Sequence, residues 1–253
     1  MESTSSIDTR CAQPGAKRTS IALMPCYERR AFRSSNGFEK CLPSRPILPS
    51  PYWMPTVFPA TTMPDADWWQ ALWPEPGRTV ASLGIRAGMR VIDLCCGDGL
   101  FTLAMARVAS QVVAIDLDHE MIEQTRAKIE GAGLSNCHLI EGDAYEIAEL
   151  ACEPADAVVM ANTFHGVPDK ARLCRAVASA LKPDGLFIVV NWHRRPRETT
   201  TVFGQPRGPT TEMRMEPADV AASAMPAGFK LEQTIELPPY HYAVLFRSAT
   251  ANA

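Results

Sequence analysis

The stretch Arg90-Val-Ile-Asp-Leu-Cys-Cys-Gly-Asp-Gly-Leu-Phe-Thr-Leu-Ala-Met-Ala106 decides how the chain is read. An apolar run ends on Asp93, crosses two cysteines and a Gly-Asp-Gly, and passes into a helical pattern from Leu100. A strand, a glycine turn and a helix in that order make a ligand site for a physical reason. Glycine lets backbone approach a ligand closely, and the start of the helix leaves N–H groups free. As a dinucleotide fingerprint the loop is poor, because G-x-G-x-x-G needs a third small residue near Thr102. The G-K-[ST] of a P-loop is absent.

Working outward, the same alternation repeats. "QVVAIDL" (residues 111–117), "CHLIEGD" (137–143), "ADAVVMAN" (155–162) and "LFIVVNW" (186–192) read as buried strands. Between them 120–129 and 170–181 read as helices, the first ended by Gly131 and Gly133, and "KPDG" (182–185) reads as a turn. Short apolar strands alternating with helices predict an α/β fold, a parallel sheet covered on both faces. Near the end, "GFKLEQTIEL" and "HYAVLFRS" are strands joined only by Pro238-Pro239-Tyr240. So short a link permits an antiparallel hairpin and nothing else, so the last strand runs against the others. "PDADWWQALW" and "GRTVASLGI" predict two short leading helices within 65–83.

Composition narrows the function. The chain has 253 residues with 46% hydrophobic content, enough for one domain of about 200 residues and an appendage. Residues 1–50 carry a net +4 and the remainder −7, which argues against a nucleic-acid partner. No run approaches the ~20 apolar residues of a membrane helix. Residues 1–60, rich in Ser, Arg and Pro, read as a disordered leader, with a targeting peptide as the alternative, and 61–250 as the folded domain. The eight cysteines contain no C-x-x-C pair and no signal peptide precedes them, so reduced thiols in a cytoplasmic protein are expected, with no metal. Cys95 and Cys96 cannot easily bridge, since adjacent Cα atoms lie ~3.8 Å apart.

An acidic residue in the first strand followed by small-x-Gly-x-Gly resembles motif I of class I S-adenosylmethionine-dependent methyltransferases. The likeness is closest to the small-molecule group around the ubiquinone/menaquinone C-methyltransferase. It rests on Asp93, Gly97, Gly99, Asp116, Asp143 and the block 162–169, and spans roughly residues 65–247. One position departs: Cys95 stands where the family usually has its first glycine. The resemblance implies a Rossmann-like, seven-stranded, mostly parallel sheet with an antiparallel last strand, S-adenosyl-L-methionine as cofactor and a small-molecule acceptor. It implies that Asp93 orders the loop and reaches the cofactor's amino group, with Cys95, Gly97 and Gly99 forming the turn. Asp116 accepts from the ribose diol, Leu117 covers the adenine, Asp143 and the Ala144 N–H meet its edge, and Asn162 closes the fourth strand. Asp98 reads as a helix cap. An NAD(P)-dependent oxidoreductase and a non-catalytic cofactor-binding protein remain the alternative readings.

For the acceptor side, His165, His193 and His241 lie on loops that the topology sends to one edge of the sheet. They are candidates for an acid–base cluster, His165 and His193 first. Trp69, Phe164, Arg197, Tyr240 and His241 are the expected acceptor contacts. The basic loop 193–214 is either a solvated surface loop or a lid for an acidic acceptor.

Overall fold

The alternating apolar runs pair into a seven-stranded sheet in the computed structural model, which describes residues 64–249. Strands β1 (Arg90–Leu94), β2 (Gln111–Asp116), β3 (Cys137–Glu141), β4 (Ala155–Ala161) and β5 (Leu181–Trp192) are parallel. A small antiparallel ribbon follows, β6 (Thr201–Val202) and β7 (Gln205–Pro206). Then β8 (Phe229–Leu237) and β9 (His241–Ser248) complete the sheet, in the order β3-β2-β1-β4-β5-β9-β8. β9 is antiparallel to both β5 and β8, so β8 runs with the first five and only β9 is reversed. This is the expected α/β architecture.

The helices are α1 (Ala66–Leu72), α2 (Pro76–Ser82), α3 (Leu100–Ala106), α4 (His119–Gly131), α5 (Ile147–Ala151), α6 (Lys170–Ala180) and α7 (Pro217–Ala224). Side chains alternate across each strand, so the sheet feeds two cores. Ile92, Ile115, Val158, Met160 and Val189 pack on the face of α5, α6 and α7, against Ile147, Leu173, Val177 and Val220. Val91, Val112, Val159, Ile188 and Val190 pack on the other, against Trp69, Trp73, Val80, Phe101 and Met105 of α1 to α3. Local chemistry sets several boundaries. Asp118 caps α4 by accepting from the Glu120 N–H at 2.8 Å, and Asp169 caps α6 by accepting from the Arg172 N–H at 2.8 Å. The left-handed Gly84 (φ +81°) follows α2.

The strands leave β1 in one direction to β3, then return past β1 to β4. That reversal opens a crevice at the carboxyl ends of β1 and β4, where open α/β sheets bind ligands. Three features differ from the sequence reading. The expected turn 182–185 is a bulged continuation of β5, with Asp184 at φ +59° and the β4 pairing shifting register between Ala155 and Ala157. Helices α5 and α7 have no counterpart in that reading, because their short Ala-rich runs lack the large apolar stripe that marks α1. A reciprocal capping box between Glu216 and Asp219 starts α7. Among the described residues no helix is long and apolar enough to cross a membrane. The expected leader, residues 1–60, lies outside the described residues.

Candidate active site

The carboxyl ends of β1, β2, β4 and β5 open into a cavity of about 910 Å³. Its walls have two characters. One side carries the strand-end carboxylates Asp93, Asp116 and Asp143 with the loop Cys95–Asp98. The other carries Trp68, Trp69, Phe101 and Trp192 with Arg197 and Arg207.

The loop after β1 is fixed at both ends. Asp93 is 2% exposed and accepts from the Thr102 hydroxyl at 2.5 Å, which ties β1 to α3. Burial pushes its carboxyl up to about 7; the Thr102 hydrogen bond opposes the rise, and the nearby Asp116 and Asp98 add to it. Cys95 takes φ +59°, the left-handed region that favours glycine, at the position where the resembled motif has glycine. The Gly97 N–H donates to Asp116 Oδ2 at 2.8 Å, and its carbonyl accepts from Thr125 Oγ1 at 2.9 Å, so β2 and α4 hold the turn. Gly99 does not line the cavity. Its φ is +81°, and a Cβ there would lie 2.6 Å from Thr125 Oγ1, so helix packing requires this glycine. Asp98 accepts from the Leu100 N–H at 3.2 Å and pairs with Lys128, which is the cap role, although it also borders the cavity.

Burial first, then the surrounding carboxylates, push the Cys95 and Cys96 thiols well above their ordinary value. Both are free and stay protonated. Among the described residues no group of three or more His, Cys, Asp or Glu is placed to hold a metal ion.

Asp116 closes β2. Burial raises its pKa, while N–H donors from Asp118 (3.0 Å to Oδ1) and Gly97 oppose the shift. Leu117 lines the cavity beside it. Asp143 accepts from the Tyr145 N–H at 2.9 Å, capping a single turn that places the buried Ala144 on the wall. Asn162, also on the wall, sits at φ +60°, and both polar atoms of its side chain are buried with no partner.

His165 lies three residues on and lines the same cavity. Its Nδ1 is 3.3 Å from Asn191 Oδ1. In the tautomer whose Nδ1 donates to this amide oxygen, Nε2 keeps its lone pair. Burial pushes the His165 pKa below its ordinary value, with Lys170 and Arg214 adding to the fall and the Asn191 bond opposing it; the ring is neutral at neutral pH.

The remaining expected residues fall elsewhere. Phe164 is fully buried against Phe187, ring centres 6.2 Å apart, and is core. His193 turns away to Glu236 (Nε2 to Oε2, 2.8 Å) and packs on Tyr242. His241 is 1% exposed, wedged between the Trp73 and Trp192 rings at 4.5 and 4.2 Å. Burial drives its pKa well below the ordinary value, so it is a neutral packing plate. Tyr240 stacks on Trp192, and its hydroxyl bonds both the N–H and the carbonyl of Thr201, anchoring the β6–β7 ribbon. The three histidines are neighbours, and only His165 reaches the cavity.

Sequence reasoning missed Gly208 and Trp192 on the wall, and read Arg207 only as part of the basic loop 193–214. Gly208 sits at φ +87°, where a Cβ would lie 2.8 Å from the Trp192 ring, so this close approach requires glycine. The frame of this loop is Arg214, 1% exposed. It donates to the carbonyls of Arg195, Arg207 and Pro209 and to Thr200 Oγ1 at 2.8–3.1 Å.

Comparison with known proteins bears on the family and the fold. Residues 91–185 match the family described as a methyltransferase domain. A ubiquinone biosynthesis O-methyltransferase of Xanthomonas axonopodis pv. citri (strain 306) is 34% identical over 159 residues, which is 58% of this chain and 64% of that protein. The chain therefore spans less than two thirds of that relative's length. A crystal structure of a SAM dependent methyltransferase from Aquifex aeolicus superposes with a TM-score of 0.61 at 20% identity, over 70% of this chain and 92% of that one. A [4+2]-cyclase superposes with a TM-score of 0.57 at 16% identity, over 69% and 81%. At such identities the likeness is one of fold.

Proposed function

We propose that the chain, whose residues 91–185 match a methyltransferase domain, is a class I S-adenosylmethionine-dependent methyltransferase that transfers a methyl group to a small-molecule acceptor bound in the 910 Å³ cavity. The observation that carries the reading is Asn162, whose buried, unpartnered amide shares the cavity with three strand-end carboxylates. Leaving a buried polar group unpaired costs about 1–3 kcal/mol, so its presence favours a ligand that pairs with it. The donor set fits S-adenosylmethionine. Asp93 suits the cationic amino group, Asp116 the ribose hydroxyls, and Asp143 with the Ala144 N–H the adenine edge, flanked by Leu117. When bound, that cofactor supplies an electrophilic methyl group on a cationic sulfur.

The chain's own tasks are then to align the acceptor and exclude water. For a hydroxyl acceptor, His165 Nε2 takes the proton as the acceptor oxygen gains the methyl group, and Asn191 steadies the imidazolium through Nδ1. The name of the Xanthomonas relative, an O-methyltransferase, favours an oxygen acceptor. The −7 charge of the body disfavours nucleic acid, and a cytoplasmic location follows from the reduced thiols and is part of the proposal. The test is calorimetric titration of the full chain with S-adenosylhomocysteine. A Kd near 1 μM, about −8 kcal/mol, is expected for wild type. Asp116→Ala is expected to weaken it by about tenfold or more, the loss of charge-assisted hydrogen bonds. No binding to wild type refutes the proposal.

A further inference from the structure

The cavity wall carries two arginines, Arg197 and Arg207, that have no ion-pair partner among the described residues. The buried Arg214 behind them also lacks a carboxylate within ion-pair distance and binds carbonyl and hydroxyl oxygens only. Arg197 and Arg214 are close enough to repel, with Glu198 the nearby opposing charge. Such a cluster, in a body of net negative charge, attracts an anion.

The guanidinium groups are held in place before any ligand arrives. Arg197 Nε donates to the Gly208 carbonyl at 3.0 Å, and its N–H to Thr211 Oγ1 at 3.0 Å. Arg207 lies over the Trp68 ring, 5.2 Å from its centre, with its Nε buried and unpartnered. Arg214 fixes the Arg207 main chain through its carbonyl. A planar guanidinium set on an aromatic wall suits a flat, charged partner. The carboxylates of the same cavity suit a cation. Its lining therefore carries both signs of charge, and an anion is drawn to Arg197 and Arg207.

We infer that the acceptor is an anionic aromatic compound, a hydroxylated ring bearing a carboxylate or a group of like charge, gripped by Arg197 and Arg207 between tryptophan walls. The inference rests on the proposed methyl transfer for the word acceptor, and on the two arginines of the cavity wall for the rest. The test uses two probes of one shape, 4-hydroxybenzoate and 4-hydroxybenzamide. Both are titrated into the full chain, with and without S-adenosylhomocysteine, and read by the fluorescence of Trp68, Trp69 and Trp192 on the wall. The acid is expected to bind about tenfold or more tighter than the amide, and Arg197→Gln or Arg207→Gln to remove most of that difference while leaving S-adenosylhomocysteine binding within about twofold. Equal binding of acid and amide by wild type, no saturable binding of the acid, or variants that keep the difference would each overturn the inference. The wild-type comparison needs no variant to fold. Failure of S-adenosylhomocysteine to bind sinks the methyltransferase reading instead, and the acid–amide comparison without it still reports on the clamp.

Discussion

Replacing Asp93 by asparagine separates what the residue does for folding from what it does for the ligand. The buried carboxyl ionises at about 7, against 3.8 for the ordinary group, chiefly because it has lost water. Between those values the unfolded chain has released its proton and the folded chain has not. Folded stability therefore falls as pH rises through this window, by about 1.4 kcal/mol per pH unit, and the fall ends above the folded value. The substituted amide carries no charge and still offers an oxygen to Thr102 Oγ1. Asp93→Asn is thus expected to be more stable than wild type, and the gap to widen by on the order of 3 kcal/mol between pH 5 and pH 8. Urea unfolding of the ligand-free protein at the two pH values measures it. A gap that stays constant, or a variant less stable than wild type at pH 8, refutes the reasoning. The same substitution is expected to weaken S-adenosylmethionine binding, since the ligand's ammonium loses its carboxylate, and wild-type affinity is expected to rise as pH passes 7. Stability gained with affinity lost marks a residue kept for its ligand.

Other outcomes follow from the site. His165→Asn is expected to lower kcat for a hydroxyl acceptor by about 10²–10⁴-fold with little change in S-adenosylhomocysteine affinity. In wild type, burial and the neighbouring cations place the acid limb of kcat against pH below the ordinary histidine value, and the variant removes that limb. A pH–rate series on both proteins decides it, and an unchanged acid limb in the variant assigns the base elsewhere. Cys95→Gly removes a non-glycine residue from φ +59° and is expected to raise stability by about 0.5–1 kcal/mol, the left-handed cost less the added chain entropy. Its cofactor affinity is expected to stay within about twofold, ~0.4 kcal/mol. A larger loss in titration calorimetry gives the thiol a role of its own.

Much of the carboxylate half of the cavity was legible because it depends on where strands end. Asp93, Asp116 and Asn162 each end or follow an apolar run, and a parallel sheet sends all such ends to one edge. The acceptor half depends on which face each residue takes, and sequence gives that poorly. His241 pairs across the sheet with Trp192, and Tyr242 with Asn191. One step along the strand therefore separates a ring packed against Trp73 from one whose hydroxyl donates to the Met215 carbonyl at 2.7 Å. His193 falls on the Tyr242 side and leaves the cavity for Glu236. Arg207 and Gly208 lie in a loop with no period to read, and their place is set by Arg214, a charged residue that composition alone assigns to the surface.

The two neighbouring thiols now have a physical place in this division of charge. The turn after β1 passes within the fields of Asp93, Asp116 and, at Cys95, Asp143, all of which raise the thiol pKa and oppose a thiolate. A thiolate is what redox exchange and metal binding require, so burial, aided by the carboxylates that suit the turn to a cationic ligand, holds its cysteines in the thiol form. A cation bound there changes both groups in the same direction. It favours ionised Asp93, and by cancelling carboxylate charge it lowers the barrier to thiolate formation beside it. Alkylation of Cys95 and Cys96 is then a reporter of occupancy whose direction distinguishes two effects. Steric cover by the ligand slows it, and charge compensation speeds it. Both residues border the cavity, so protection from alkylation is expected on binding, and faster alkylation would mark charge compensation as the larger effect.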